Sequence, residues 1–142
     1  MTSLKDEVEF YGHPMVTSRH LTTIEVTKDE HLTINGDCII GVRADKGLSE
    51  LSSGLRELIM ADGTRLLITI EVPPEKFVVK AVGSRELTLE SSAEMVIRKS
   101  AFISPRTLAL NADAAAKDIP RTMTGRLRDP GCRGVLRIEA VN

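Results

Sequence analysis

Along this chain apolar and polar residues alternate in short runs bounded by Gly, Pro, Asn and Asp, and helical spacing is the exception. A period of two marks a strand with one buried face, and the breakers mark its ends. The pattern predicts strands over Glu7–Tyr11, Val16–Thr27, Cys38–Ala44, Thr64–Val72, Lys76–Val82, Glu86–Leu89, Glu94–Lys99, Thr107–Ala112 and Gly134–Val141. Helices are predicted over Leu48–Ala61 and Ala114–Arg128. Pro120 interrupts the second and must either kink it or restart it as the first helical residue. Asn35-Gly36 and Asp62-Gly63 are turn signals.

The second half of the pattern resembles the first. A shift of 68 positions lays Ile40-Gly41-Val42-Arg43-Ala44-Asp45 on Leu108-Ala109-Leu110-Asn111-Ala112-Asp113 without a gap. The same shift pairs Leu48 with Ala116, Leu51 with Ile119, Leu55 with Met123 and Ile59 with Leu127, the apolar face of a helix. Beyond it, Gly63 meets Gly131, Arg65 meets Arg133, and Leu67–Glu71 meets Val135–Glu139. The expectation is a single domain, 1–142, made of two similar strand–helix–strand halves, approximately 1–72 and 73–142. Many short strands and two helices give a mainly β fold, a sandwich or a closed barrel, with the helices over its ends or edges.

Composition narrows the setting. The chain has 142 residues, and a chain of that size buries roughly two-thirds of its unfolded surface without needing a disulfide. The longest run free of charged side chains, Phe10–Ser18, is nine residues, far short of the ~20 that a membrane span needs. No signal peptide is visible at the start, and the two cysteines, Cys38 and Cys132, lack Cys-x-x-Cys spacing; a cytoplasmic location with free thiols is expected. The net charge of −1 hides an asymmetry: residues 1–72 carry 7 basic and 12 acidic side chains, residues 73–142 carry 12 and 8. That counts against a uniformly basic nucleic-acid binder and leaves room for one basic face.

Three stretches carry a resemblance: Tyr11-Gly12-His13, the run Thr22 to Thr33, and Gly36-Asp37-Cys38-Ile39-Ile40-Gly41-Val42-Arg43-Ala44-Asp45-Lys46. They resemble an archaeal family known only as domain of unknown function 371, over nearly the whole chain. The resemblance implies a small β-rich cytosolic archaeal protein and carries over no activity or catalytic residue. Pro120 departs from it, since such proteins tend to continue a helix there.

Candidate chemistry falls into three groups. Asp45 and Asp113 each end a strand and open a helix, in phase with Arg43 and Asn111 and with the small residues Gly41 and Ala109. If the halves pack about a twofold axis, the carboxylates would share a divalent metal, with Arg43 and Lys46 attracting an anionic substrate. Otherwise both are helix N-caps. The histidines, His13, His20 and His31, match no compact metal motif, and His31, in the polar turn Lys28-Asp29-Glu30-His31, is the candidate general base. Arg121, Arg126 and Arg128 lead a basic set that would guide a nucleic-acid backbone or form the solvated side of a helix. No Gly-rich phosphate loop, Gly-x-Ser-x-Gly elbow or His-Glu-x-x-His run is present.

The leading expectation is therefore a metal-assisted hydrolase of nucleic-acid phosphodiesters, with Asp45 and Asp113 as ligands and His31 as base. The alternatives are a non-catalytic module that binds RNA or a protein, and a small-molecule binder with a cleft between the halves lined by Gly41 and Ala109.

Overall fold

The alternating runs assemble into two four-stranded sheets in a computed structural model that describes residues 2–142. The first contains β1 (Ser3–Tyr11), β4 (Arg65–Val72), β5 (Glu75–Val82) and β8 (Arg133–Val141), in the order β1-β8-β4-β5 and antiparallel throughout. The second contains β2 (Thr23–Thr27), β3 (Ile39–Gly41), β6 (Glu94–Arg98) and β7 (Thr107–Ala109), in the order β3-β2-β6-β7. There β2 and β6 pair antiparallel at the centre, and each has a parallel neighbour outside it. Neither sheet closes into a barrel. Two isolated antiparallel bridges, Tyr11–Val42 and Val82–Leu110, stitch one sheet to the other at their edges.

Period-two burial places the core between the sheets. In β4, Leu66, Ile68, Ile70 and Val72 point inward and are at most 2% exposed, while Arg65, Leu67, Thr69 and Glu71 point out. Ile24 and Val26 of β2 lie opposite Ile97 and Met95 of β6 and join the same cluster. Each predicted helix is shorter than expected and comes in two pieces. A 3-10 turn, Leu48–Glu50, precedes α1 (Ser53–Ile59), and a second, Ala116–Asp118, precedes α2 (Arg121–Arg126). Pro120 is the N-cap of α2, so the restart occurs one residue later than a first-position proline would give. Leu48, Leu55 and Ile59 are fully buried, as are Ala116, Met123 and Leu127, which meets the apolar spacing read from the sequence.

Two predicted strands are corrected. Residues 16–22 run as coil before β2, and Glu86–Leu89 forms a turn. Ser18 and Leu89 adopt φ of 52° and 49°, a left-handed conformation that no strand residue can hold. Their neighbours still alternate because Val16, Leu87 and Leu89 plug the core from loops.

Phe10, fully buried on β1, has glycines on two sides. A Cβ at Gly41 of β3 or at Gly134 of β8 would overlap its ring. Gly41→Ala is expected to cost about 1–3 kcal/mol through overpacking. Gly125→Ala in α2, where nothing lies within 4 Å of the new atom, is expected to be neutral or to stabilise by about 0.5–1 kcal/mol. Urea unfolding of the two variants checks the contrast, and equal effects would contradict it.

Candidate functional site

Asp45 and Asp113 do the same job at opposite edges of the first sheet. The Asp45 N–H donates to the Glu9 carbonyl at 3.0 Å, and its Oδ1 accepts the Glu9 N–H at 3.0 Å. The Asp113 N–H donates to the Lys80 carbonyl at 3.0 Å, and its Oδ1 accepts the Lys80 N–H at 2.9 Å. Neither caps a helix; the N-caps are Gly47, Ser52, Ala115 and Pro120. Glu9 lies on β1 and Lys80 on β5, with β8 and β4 between them. Three strand intervals amount to about 14 Å, whereas two ligands of one divalent cation each stand about 2.0–2.6 Å from it. The structure does not bring the two carboxylates together. Among the described residues no group of three or more His, Cys, Asp or Glu is placed to hold a metal ion.

The predicted binding cations are mostly tied to the protein itself. Lys46 Nζ donates to Asp6 and to the Glu7 carbonyl, both at 2.8 Å. Arg121 lies across the loop before β2 and the 3-10 turn before α2, donating to the carbonyls of Thr17, Ser18, Ala116 and Ile119 at 2.8–3.2 Å. Arg126 holds the β4–β5 turn through the carbonyls of Val72 at 2.8 Å and Pro73 at 2.6 Å. Arg128 reaches the Pro14 carbonyl at only 3.4 Å. The expected cleft lining is absent, because Gly41 lies under the Phe10 ring and Ala109 is fully buried.

Two open concavities hold predicted site residues, Asn111 and Asp113 in the first and His31 and Arg43 in the second; a third, about 500 Å³, is lined by Glu90, Glu94, Ser104 and Arg106 among others. The first, about 570 Å³, lies over the ends of β4, β5 and β8, and its charged and polar lining is Arg65, Lys80, Asn111, Asp113 and Glu139, two cations facing two carboxylates. The Arg65, Lys80 and Asn111 side chains have no hydrogen-bond or ion-pair partner among the described residues, and Leu67, Val82 and Val141 supply an apolar floor. At the Tyr11–Val42 seam the Arg43 guanidinium stacks 4.4 Å from the Tyr11 ring centroid. The second concavity, about 550 Å³, is lined by His13, Glu30, His31, Arg43 and Pro130, with neighbouring backbone.

Sequence reasoning missed one polar cluster. On the outer side of the second sheet Glu25, 5% exposed, lies 3.4 Å from Arg106 and 3.9 Å from the Cys38 thiol. Burial pushes the Glu25 carboxyl up, Glu94 adds to this, and Arg106 and Arg98 oppose it. Burial and the Glu25 charge likewise push the Cys38 thiol up, which makes it a poorer nucleophile. Arg98, 9% exposed, donates to Thr107 Oγ1 at 2.8 Å and Ser104 Oγ at 3.2 Å. In the sequence Glu25 follows the strand alternation as an outward residue, and only the loops folded over that face reveal its burial.

These features define a mainly β protein of two sheets whose exposed chemistry lies in concavities beside the seams. The chain belongs to the family described as Domain of unknown function (DUF371), whose model matches residues 8–141. It is 40% identical over 118 residues to the uncharacterized protein MJ0206 of Methanocaldococcus jannaschii, a match covering 83% of this chain and 87% of that relative.

Two outcomes follow from these contacts. Arg121→Ala leaves the carbonyl of the fully buried Ser18 without its donor and should cost about 1–3 kcal/mol, against less than about 0.5 kcal/mol for Arg128→Ala. Thermal unfolding of both separates clamps from a free basic stripe, on which the two losses would be alike and small. The second outcome concerns Asp6. Burial alone would raise its carboxyl, but hydrogen bonds from Lys46 and from the Ser52 and Glu7 N–H groups hold it below the usual carboxylate range. A carboxyl depressed on folding stabilises fully above about pH 4, and that stability is lost as pH falls through its folded value. Asp6→Asn should therefore lower stability at pH 7 and flatten the acid limb of the pH–stability curve; an unchanged acid limb would contradict the assignment.

Proposed function

We propose that this protein binds a small amphipathic anion in the concavity over β4, β5 and β8. The observation that carries the reading is the set of polar side chains without a partner among the described residues, Arg65, Lys80 and Asn111, around an apolar floor; of the two carboxylates there, Asp113 accepts the Lys80 N–H and Glu139 the Ser3 hydroxyl. Arg65 lies opposite Val82, and Lys80 is two residues from Val82 on the same strand, so the two cations are diagonal neighbours at one end of the sheet. A carboxylate or phosphate head would meet the two cations, the Asn111 amide would orient it, and Leu67, Val82 and Val141 would take the apolar body. The metal-assisted hydrolase draws less from the geometry, since the aspartates stand at opposite edges. A nucleic-acid module draws less as well, since Arg121 and Arg126 are engaged with the protein's own carbonyls.

We also read 1–142 as one domain built by duplication, with halves near 1–72 and 73–142. Matched aspartate hydrogen bonds, matched bridges and the left-handed residues Arg43 and Asn111 (φ 53° and 52°) favour this reading. So does the strand order, which is unchanged in both sheets when β1, β2, β3 and β4 are exchanged for β5, β6, β7 and β8.

Titration of the amide NMR spectrum with phenyl phosphate and benzoate tests the binding reading, with inorganic phosphate as the probe lacking an apolar body. Shifts at Leu67, Lys80, Val82 and Asn111 are expected, with binding roughly fivefold weaker for each of Arg65→Ala and Lys80→Ala. Val82→Tyr with Asn111→Arg should plug the space and remove binding while the fold survives. Absence of shifts there with both aromatic probes would sink the proposal. Manganese-dependent oligonucleotide cleavage lost on Asp45→Ala plus Asp113→Ala, in protein that stays folded, would restore the hydrolase.

A further inference from the structure

The outer face of the first sheet sets three charges around one leucine. Leu67 of β4 lies opposite Lys80 of β5 on one side and Glu139 of β8 on the other. Arg65, two residues away on β4, lies between Val82 and Val141 in the same manner. Residues directly opposite share a face, and all six line the first concavity. Arg65 is a diagonal neighbour of both Glu139 and Lys80, about 7–8 Å from each, while Glu139 and Lys80 stand about 10 Å apart across Leu67. No ion pair joins the three among the described residues. Asp113, a fourth charge, lies at the β5 edge, where its Oδ1 and its own N–H are both engaged by the Lys80 backbone.

These charges cancel. Arg65 and Lys80 attract an anion, and the two carboxylates repel it, so a ligand that is only an anion leaves Glu139 unanswered. The Oε2 of Glu139 accepts the Ser3 hydroxyl at 3.4 Å, and its Oε1 has no partner among the described residues. Lys5, opposite Glu139 on β1, makes no ion pair with it and does not line the concavity. A cationic group on the same ligand would turn the repulsion from Glu139 into attraction.

Given a carboxylate head held in this concavity, as the proposed function has it, we propose that the ligand is a zwitterion, an α-amino acid with an apolar side chain. Its carboxylate sits between Arg65 and Lys80, with the Asn111 amide as a further donor. Its ammonium faces Glu139, and its side chain covers Leu67 and Val82. An α-amino acid carries both charges on one carbon, which suits a cation and a carboxylate that are diagonal neighbours on a sheet. Like the lining it meets, it has no net charge.

Three probes with the same ring separate the charges: phenylalanine, hydrocinnamate, which lacks the ammonium, and phenethylamine, which lacks the carboxylate. Each is titrated into the full chain at pH 7 while amide shifts are followed. Phenylalanine should give saturable shifts at Leu67, Lys80, Val82 and Glu139 and bind roughly fivefold tighter than hydrocinnamate, the upper end for one exposed ion pair. Phenethylamine should bind most weakly. Glu139→Gln keeps an acceptor for the Ser3 hydroxyl, and its own amide spectrum reports that it is folded. It should bring phenylalanine down to the level of hydrocinnamate and leave hydrocinnamate no weaker than before. Hydrocinnamate binding as tightly as phenylalanine would overturn the zwitterion while leaving the anion site intact. A preference for phenylalanine that survives Glu139→Gln would also overturn it. No shifts at these residues with either carboxylate would remove the zwitterion and the anion site together.

Discussion

A strand at the edge of a sheet carries backbone donors and acceptors that must be met, and here β1 and β5 both present such an edge. Each is met in the same way. One bridge pairs it with a residue just past the end of a short parallel strand, Val42 or Leu110. Three residues further on, an aspartate donates its own N–H to the edge and accepts an edge N–H on its carboxylate. The side chain stands in for a peptide carbonyl, so the ladder continues while the backbone is already leaving for the helix. On β1, Lys46 adds a donor to the Glu7 carbonyl. The seams between the sheets, the entry to each helix and the positions of both concavities all depend on these contacts.

Much of the frame was legible in the sequence because it rests on local rules. Period-two burial located β4, β5 and β8 within one residue at each end. The helical spacing correctly chose Leu55, Ile59, Met123 and Leu127 as core residues. What misled was apolar alternation in coil: Val16, Leu87 and Leu89 are buried as plugs, and burial alone does not reveal the left-handed turns at Ser18 and Leu89. The pattern match at a shift of 68 begins only at Ile40. Ahead of that point β2 and β6 begin at Thr23 and Glu94, whereas β3 and β7 begin at Ile39 and Thr107, so the loop after β2 is three residues longer and breaks a gapless comparison.

The site was less legible, because side-chain chemistry depends on which partners the fold supplies. Asp45 and Asp113 were singled out for the right reason, their identical settings, yet the setting is a strand edge and not a shared centre. Arg121 and Arg126 read as free charge in the sequence and prove to be donors to carbonyls of distant segments, more than a hundred residues away for Arg121 and Ser18. Lys80 carried no signal at all, since a strand lysine facing solvent is ordinary. It draws attention only because it lines one concavity with Arg65 and Asn111 and its ammonium has no hydrogen-bond or ion-pair partner among the described residues.

Two seams held by the same kind of hydrogen bond need not carry the same surface. One seam carries the Tyr11 ring stacked on the Arg43 guanidinium, and the other carries Val82 and Asn111 at the wall of an open volume. Whatever settles in that volume therefore does so once per chain. A ligand at the Val82–Leu110 seam would meet different side chains at the Tyr11–Val42 seam, so a single-site binding curve is expected for it, without the cooperativity that two like sites would allow.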